Sequence, residues 1–210
     1  MKKALVIILV LSVAVALLPR AASADAKFGF KGGISLAKYR VTPAPAAISL
    51  ENLTWPTGGV FLRLGYGPLS IQPEGLYVRM GVKFAALGGG EISDRFEYVQ
   101  IPVLVRLTFL YAGSVRPVIF AGPYGAILLG AKETFTPTEG EATVEDVKTF
   151  LNKADWGAVF GAGIDFETAT AVVSIEARYS FGIYNINQDL LDTTSTLKNR
   201  AVMVYLGIGF

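Results

Sequence analysis

From Ala201 to the last residue the chain alternates. One face collects Val202, Val204, Leu206, Ile208 and Phe210, the other Met203, Tyr205, Gly207 and Gly209. A period of two predicts a β-strand. In a soluble sheet the second face would meet water with charged side chains, but here it carries none, and small residues suit the crowded interior of a narrow barrel. The inversion is plainer from Val173 to Ile183, where Val173, Ile175, Ala177, Tyr179, Phe181 and Ile183 alternate with Ser174, Glu176, Arg178, Ser180 and Gly182. That pattern places apolar residues toward lipid and polar ones toward a lumen. Trp156, Ala158, Phe160, Ala162, Ile164 and Phe166 repeat it against Asp155, Gly157, Val159, Gly161, Gly163 and Asp165, as do Phe28, Phe30, Ile34 and Leu36 against Gly29, Lys31, Gly33 and Ser35. Four further strands are predicted at Gly58 to Gly65, Leu69 to Val82, Phe96 to Leu110 and Arg116 to Ala131.

The connections alternate in length. Tyr66 to Pro68, Tyr111 to Ser114 and Glu167 to Thr170 are tight, whereas Arg40 to Pro56, Phe84 to Asp94, Lys132 to Lys153 and Asn185 to Leu197 are long. Short periplasmic turns and long surface loops are the habit of outer-membrane barrels, and an even strand count leaves both mature termini in the periplasm. Pro73, Pro102, Pro117 and Pro123 fall inside predicted strands, where a missing donor leads us to expect bulges or strand ends.

The first residues add an address. Met1-Lys2-Lys3 precedes a largely apolar run from Ala4 to Leu18, followed by Pro19, Arg20 and Ala22-Ser23-Ala24. This order of charge, apolar run and small residues predicts a cleavable signal peptide over 1–24, in preference to a membrane anchor. Loss of Lys2, Lys3 and Arg20 turns 19 basic and 17 acidic residues into 16 and 17, so the overall +2 says nothing about nucleic acid. The full chain has a mean hydropathy of +0.47, and a nearly neutral mature chain of this kind needs an apolar phase. No later segment supplies the about 20 apolar residues of a spanning helix. The expected fold is therefore all-β: an eight-stranded antiparallel up-and-down transmembrane β-barrel over residues 25–210.

The chain has no histidine and no cysteine. His-based acid/base catalysis, thiol nucleophiles, disulfides and the usual soft metal sites are excluded, and we expect no enzyme, no cofactor and no metal. The best-defined polar set is the lumen-facing group Lys31, Arg63, Gln72, Glu74, Gln100, Arg106, Glu176 and Arg178. It reads as a polar conduit or as a salt-bridged plug, and the plug is favoured because eight strands leave room only for side chains. Trp55 and Trp156 are expected near the outer rim, with Tyr66, Phe166 and Phe210 near the periplasmic one. Glu133, Glu139, Glu141, Glu145 and Asp146 share the longest loop without the spacing of a calcium loop. The Gly88-Gly89-Gly90 run lacks the residues of a phosphate loop.

A set of motifs in fixed order makes the chain resemble the PorT-like outer-membrane β-barrel proteins, a family often labelled "porin family". They are Phe30-Lys31-Gly32-Gly33-Ile34-Ser35, Ile71-Gln72-Pro73-Glu74 with Tyr77, Tyr98-Val99-Gln100-Ile101-Pro102, Ala121-Gly122-Pro123, Phe160-Gly161-Ala162-Gly163, Ala177-Arg178-Tyr179 with Gly182 and Asn185, and terminal Phe210. One departure is Gly75, where that family often has a larger apolar residue. The resemblance implies a small surface-looped barrel of the bacterial outer membrane with no shared catalytic motif. The expected function is non-enzymatic, through surface loops or as an envelope or secretion-assembly component. The alternatives are a narrow passive channel and a soluble lipocalin-like carrier. Expected partners are outer-membrane lipid, the barrel-assembly machinery through the C-terminal strand, and an unspecified surface or periplasmic protein, with no nucleic acid.

Overall fold

The computed structural model of the chain describes residues 25–42, 51–85, 89–110, 113–184 and 196–210. The expected signal peptide, most of the Asn185 to Leu197 connection and Gly88 lie outside the described residues, as does the side chain of Tyr66. The strands are β1 (Asp25–Thr42), β2 (Glu51–Tyr66), β3 (Leu69–Ala85), β4 (Glu91–Thr108), β5 (Val115–Thr136), β6 (Thr143–Asp146), β7 (Ala154–Glu167), β8 (Val172–Gly182) and β9 (Thr196–Gly209), with one 3-10 turn at Lys148–Phe150. All but β6 form a closed antiparallel ring in which β5 pairs with β7 and β9 returns to β1. At the seam Phe28 and Phe210 exchange backbone N–H···O bonds of 3.0 and 2.8 Å. The expected eight-stranded barrel is the fold found.

The alternation reads outward and inward as expected. Phe30, Val105, Phe160, Ile175, Leu206 and Phe210 are exposed on the outer wall, Leu206 to 61%, while Met203 and Tyr205 between them are buried. A continuous apolar belt of this kind is unstable against water and stable against hydrocarbon, which opposes the soluble-carrier alternative. Among the described residues no helix is long and apolar enough to cross a membrane, so any crossing falls to the strands. Gly75 sits on this outer wall, where an added Cβ would meet only Val60 Cγ2 at 3.8 Å, so a larger residue would simply face lipid.

Two sequence expectations need correction. The four prolines do not bulge the strands: Pro73 pairs with Val103, Pro102 with Tyr124, Pro117 with Ile164 and Pro123 with Ala158. Pairing lapses beside them, at Glu74-Gly75 facing Ile101-Pro102 and at Val103-Leu104 facing Gly122-Pro123, then resumes in the same register. Each proline removes one donor, but its φ suits an extended chain, and in a closed ring both neighbouring strands hold the register. The register shifts lie elsewhere, between Asn52 and Gly58 and between Glu97 and Tyr98.

The predicted loops at 40–56, 84–94 and 132–153 are also partly strand. Paired β3 and β4 run to Ala85 and Glu91, β5 to Thr136, and β6 adds to the end of β5. These extensions have no continuous apolar stripe because they rise beyond the apolar belt: one face is polar at Ser93, Arg95, Lys132 and Thr134, and on the other Asp94 and Glu133 break the row of Ile92, Phe96 and Phe135. Hydrophobic periodicity cannot report such strands.

Inside, aromatic side chains lie across glycines on the paired strand: Phe61 opposite Gly29, Phe120 opposite Gly161, and Tyr124 opposite Gly157. A Cβ on Gly161 would come within 2.7 Å of the Phe120 ring and 2.4 Å of the Ala177 carbonyl oxygen. Gly161→Val is expected to destabilise the barrel by about 1–3 kcal/mol or more through overpacking. Urea unfolding of the refolded protein checks it; an unchanged midpoint would refute this packing role.

Candidate functional site

The sequence-predicted polar residues converge in the half of the lumen nearest the tight turns. Lys31 of β1 donates to Glu74 Oε1 at 2.7 Å and Glu176 Oε2 at 2.8 Å. Arg178 donates to Glu74 Oε2 at 2.7 Å and also pairs with Glu176, two residues away on β8. Arg106 of β4 donates to Glu176 Oε1 at 2.5 Å and to both Asp165 oxygens at 3.1 Å. Arg63 of β2 closes the group, donating to Asp165 Oδ2 at 2.9 Å and to Gln72 Oε1 at 2.9 Å, and Gln72 donates to Glu74 at 2.6 Å.

Aromatic faces complete this layer. The Lys31 ammonium lies 5.0 Å from the Phe61 ring centre, the guanidinium carbons of Arg106 and Arg178 each lie 5.2 Å from that of Phe120, and Arg178 lies 4.7 Å from that of Tyr205. Such contacts gain strength where water is excluded. Phe61 and Phe120 are the rings placed by Gly29 and Gly161, so the glycine pattern sets the position of the charges. With Phe120 on β5 and Tyr205 on β9, the layer touches every strand of the ring.

Seven of the eight predicted lumen residues thus meet in one network. Gln100 does not: it sits a layer further toward the loops and donates to Ser180 Oγ at 3.4 Å. Asp165 was missed as a member although its alternation is regular, because without the barrel's stagger nothing in the sequence pairs it with Arg63 and Arg106. Nearer the loops a second polar set lies beside Gln100. Tyr124 Oη and Asn199 Nδ2 donate to Asp155 Oδ2 at 3.1 and 2.9 Å, and no ion pair to Asp155 is found among the described residues.

The rest of the lumen departs from the sequence expectation of a polar interior. Leu76, Val78, Met80, Val82, Phe96, Leu128, Ala131 and Met203 form an apolar core, and Leu151 packs into it from the segment held along β5 by the Val147 N–H to Ala131 O and Leu128 N–H to Lys153 O bonds of 3.1 and 2.8 Å, with Phe84 and Val147 beside it. The segment read from sequence as one solvated loop therefore carries a hydrophobic stopper. Its acidic residues lie on or near the β5–β6 hairpin, where Glu133 pairs with Glu145. The described residues hold no group of three or more metal-ligating side chains suited to an ion.

At the turn end a cavity of about 40 Å³ opens among Lys27, Arg63, Asp165, Arg116 and Glu167. Glu167 bridges Lys27 at 2.5 Å and Arg116 at 2.9 Å there. Below it the network is closed: Arg106, Glu176 and Gln72 are almost fully buried. Chemically the arrangement cross-links strands by charge. Glu74, Asp165, Glu176 and Glu167 are each engaged by at least two cations, whereas Asp155 is held by hydrogen bonds from Tyr124 and Asn199.

The sequence matches the family described as outer membrane protein beta-barrel domain over residues 20–188. No curated protein matches it. Among solved structures it is similar to OprG, an outer membrane protein of Pseudomonas aeruginosa, at 10% identity and TM-score 0.52, covering 89% of this chain and 97% of that one. It is also similar to Neisserial surface protein A, at 11% identity and TM-score 0.49, covering 89% and 99%. The attachment invasion locus protein Ail of Yersinia pestis follows at 13% and 0.45, with the same coverage.

Proposed function

We propose, from the premise that the chain belongs to the outer membrane protein beta-barrel domain family, that it is a filled, non-enzymatic anchor presenting a rigid sheet at the cell surface. It resides in the bacterial outer membrane. The observation that carries the reading is the lumen: a layer of ion pairs and aromatic rings that touches all eight strands of the ring, followed by an apolar core that includes Leu151. A wall filled in this way leaves the projecting β3–β6 sheet as the part available to partners. The resemblance to PorT-like barrels supports a small surface-looped barrel, and an envelope or secretion-assembly role is part of the proposal.

The test is a replacement of residues 137–146 by a short Gly-Ser turn, which keeps the Val147 to Leu151 stopper. The barrel should keep its heat-modified gel mobility while the variant fails to restore the surface or envelope phenotype of a strain lacking the protein. Full complementation would contradict the reading. Export by a cleaved leader belongs to the same proposal. The order of Met1-Lys2-Lys3, an apolar run and Ala22-Ser23-Ala24 supports it, and mass spectrometry of the mature protein should find Asp25 at its start.

A further inference from the structure

A cleft of about 460 Å³ opens on the loop side of the barrel, between the turn that follows β6 and the ends of β7 and β8. Lys148, Thr149, Asn152 and Lys153 supply its polar wall, Trp156 and Tyr184 its aromatic one, and among the described residues no acidic side chain lines it. Neither lysine has an ion-pair partner among the described residues; the Lys148 ammonium makes one bond, to the Leu129 carbonyl at 2.5 Å, with donors to spare. Trp156 is the loop-side end of the large apolar residues on the outer face of β7, above Ala158 and Phe160, and its ring rests over Gly125, where a Cβ would come within 2.9 Å. Aromatic rings at that level sit among headgroups.

We infer that this cleft docks the phosphorylated sugar headgroup of an outer-leaflet glycolipid. Two ammonium groups with no ion pair among the described residues attract phosphate, near a membrane surface by about 1 kcal/mol each. Thr149 and Asn152 offer hydrogen bonds to sugar hydroxyls, and the Trp156 and Tyr184 rings offer apolar faces to sugar C–H groups. The position at the lipid boundary selects a membrane-held ligand over a soluble one, because the acyl chains of a glycolipid seated there fall alongside the belt of Ala158 and Phe160.

Trp156 reports the event. The chain has two tryptophans, so Trp55→Phe leaves a single emitter at the cleft. The full mature protein with that substitution, refolded in phosphatidylcholine vesicles, is titrated with a diphosphorylated glycolipid, its dephosphorylated form, and inorganic phosphate. A saturable emission change with the diphosphorylated lipid is expected. Removal of the phosphates, or the Lys148→Gln/Lys153→Gln pair, should weaken half-saturation about tenfold or more. Lys148→Arg/Lys153→Arg should retain it, which separates charge from folding. Equal titration of the glutamine pair, or no response to the glycolipid, overturns the inference. A matching response to inorganic phosphate overturns the lipid source in favour of a soluble anion.

Discussion

Glu176→Gln is expected to destabilise the folded barrel by about 3–5 kcal/mol, the cost of breaking a buried ion pair from one side. Its carboxylate holds Lys31 and Arg106 at 2.8 and 2.5 Å and also pairs with Arg178. The network contains Lys31, Arg63, Arg106 and Arg178 against Glu74, Asp165 and Glu176, so it already has one excess positive charge. The substitution keeps the shape and leaves two carboxylates among four cations, of which Lys31, Arg106 and Arg178 are buried. Glu176→Met/Arg178→Met should recover most of the loss. It returns the imbalance to one, leaves Lys31 on Glu74 and Arg106 on Asp165, and replaces a costly pair with apolar volume. Urea-induced unfolding in vesicles, followed by tryptophan emission, measures both. A single variant as stable as the parent would mean that the layer is decoration.

Leu206→Arg carries the second large effect. Leu206 is the middle member of the outward row from Val202 to Phe210 on β9, with Gly32 of β1 and Ile175 of β8 as cross-strand neighbours. A guanidinium placed at mid-belt faces hydrocarbon, with a cost of about 2–4 kcal/mol at the bilayer midplane. Arg200, further along the same outward row, lies past the belt, and Arg200→Leu should change stability by under about 1 kcal/mol. The contrast between two residues on one face of one strand tests where the bilayer sits. Equal effects would remove the assigned belt.

The parts of this architecture legible in the sequence are those where one face meets lipid and the other is filled. In β7, β8 and β9 the apolar row is unbroken from Trp156 to Phe166, Val173 to Ile183 and Val202 to Phe210, so period and orientation could be read directly. Beyond the belt that contrast vanishes. Ser93, Arg95, Lys132 and Thr134 make one face polar, and on the other Asp94 and Glu133 interrupt the row of Ile92, Phe96 and Phe135, so these strand ends were read as loop. The prolines misled for the opposite reason: local donor loss at Pro102 and Pro123 was visible, but the two-sided restraint of a closed ring was not. At the site, alternation identified Lys31, Glu74, Arg106, Glu176 and Arg178 as inward, whereas partners depend on the stagger of strands far apart in sequence. Asp165 was therefore overlooked and Gln100 assigned to a layer it does not join. The Leu151 stopper had no signal at all, since one leucine in a polar segment has no periodicity.

The central claim is that this barrel is filled. Single-channel recording in planar bilayers, with protein whose folding is verified by heat-modified mobility, tests it most directly. The account predicts a flat baseline across the applied voltage range, whereas reproducible unit conductance steps, absent from heat-unfolded controls, would contradict it.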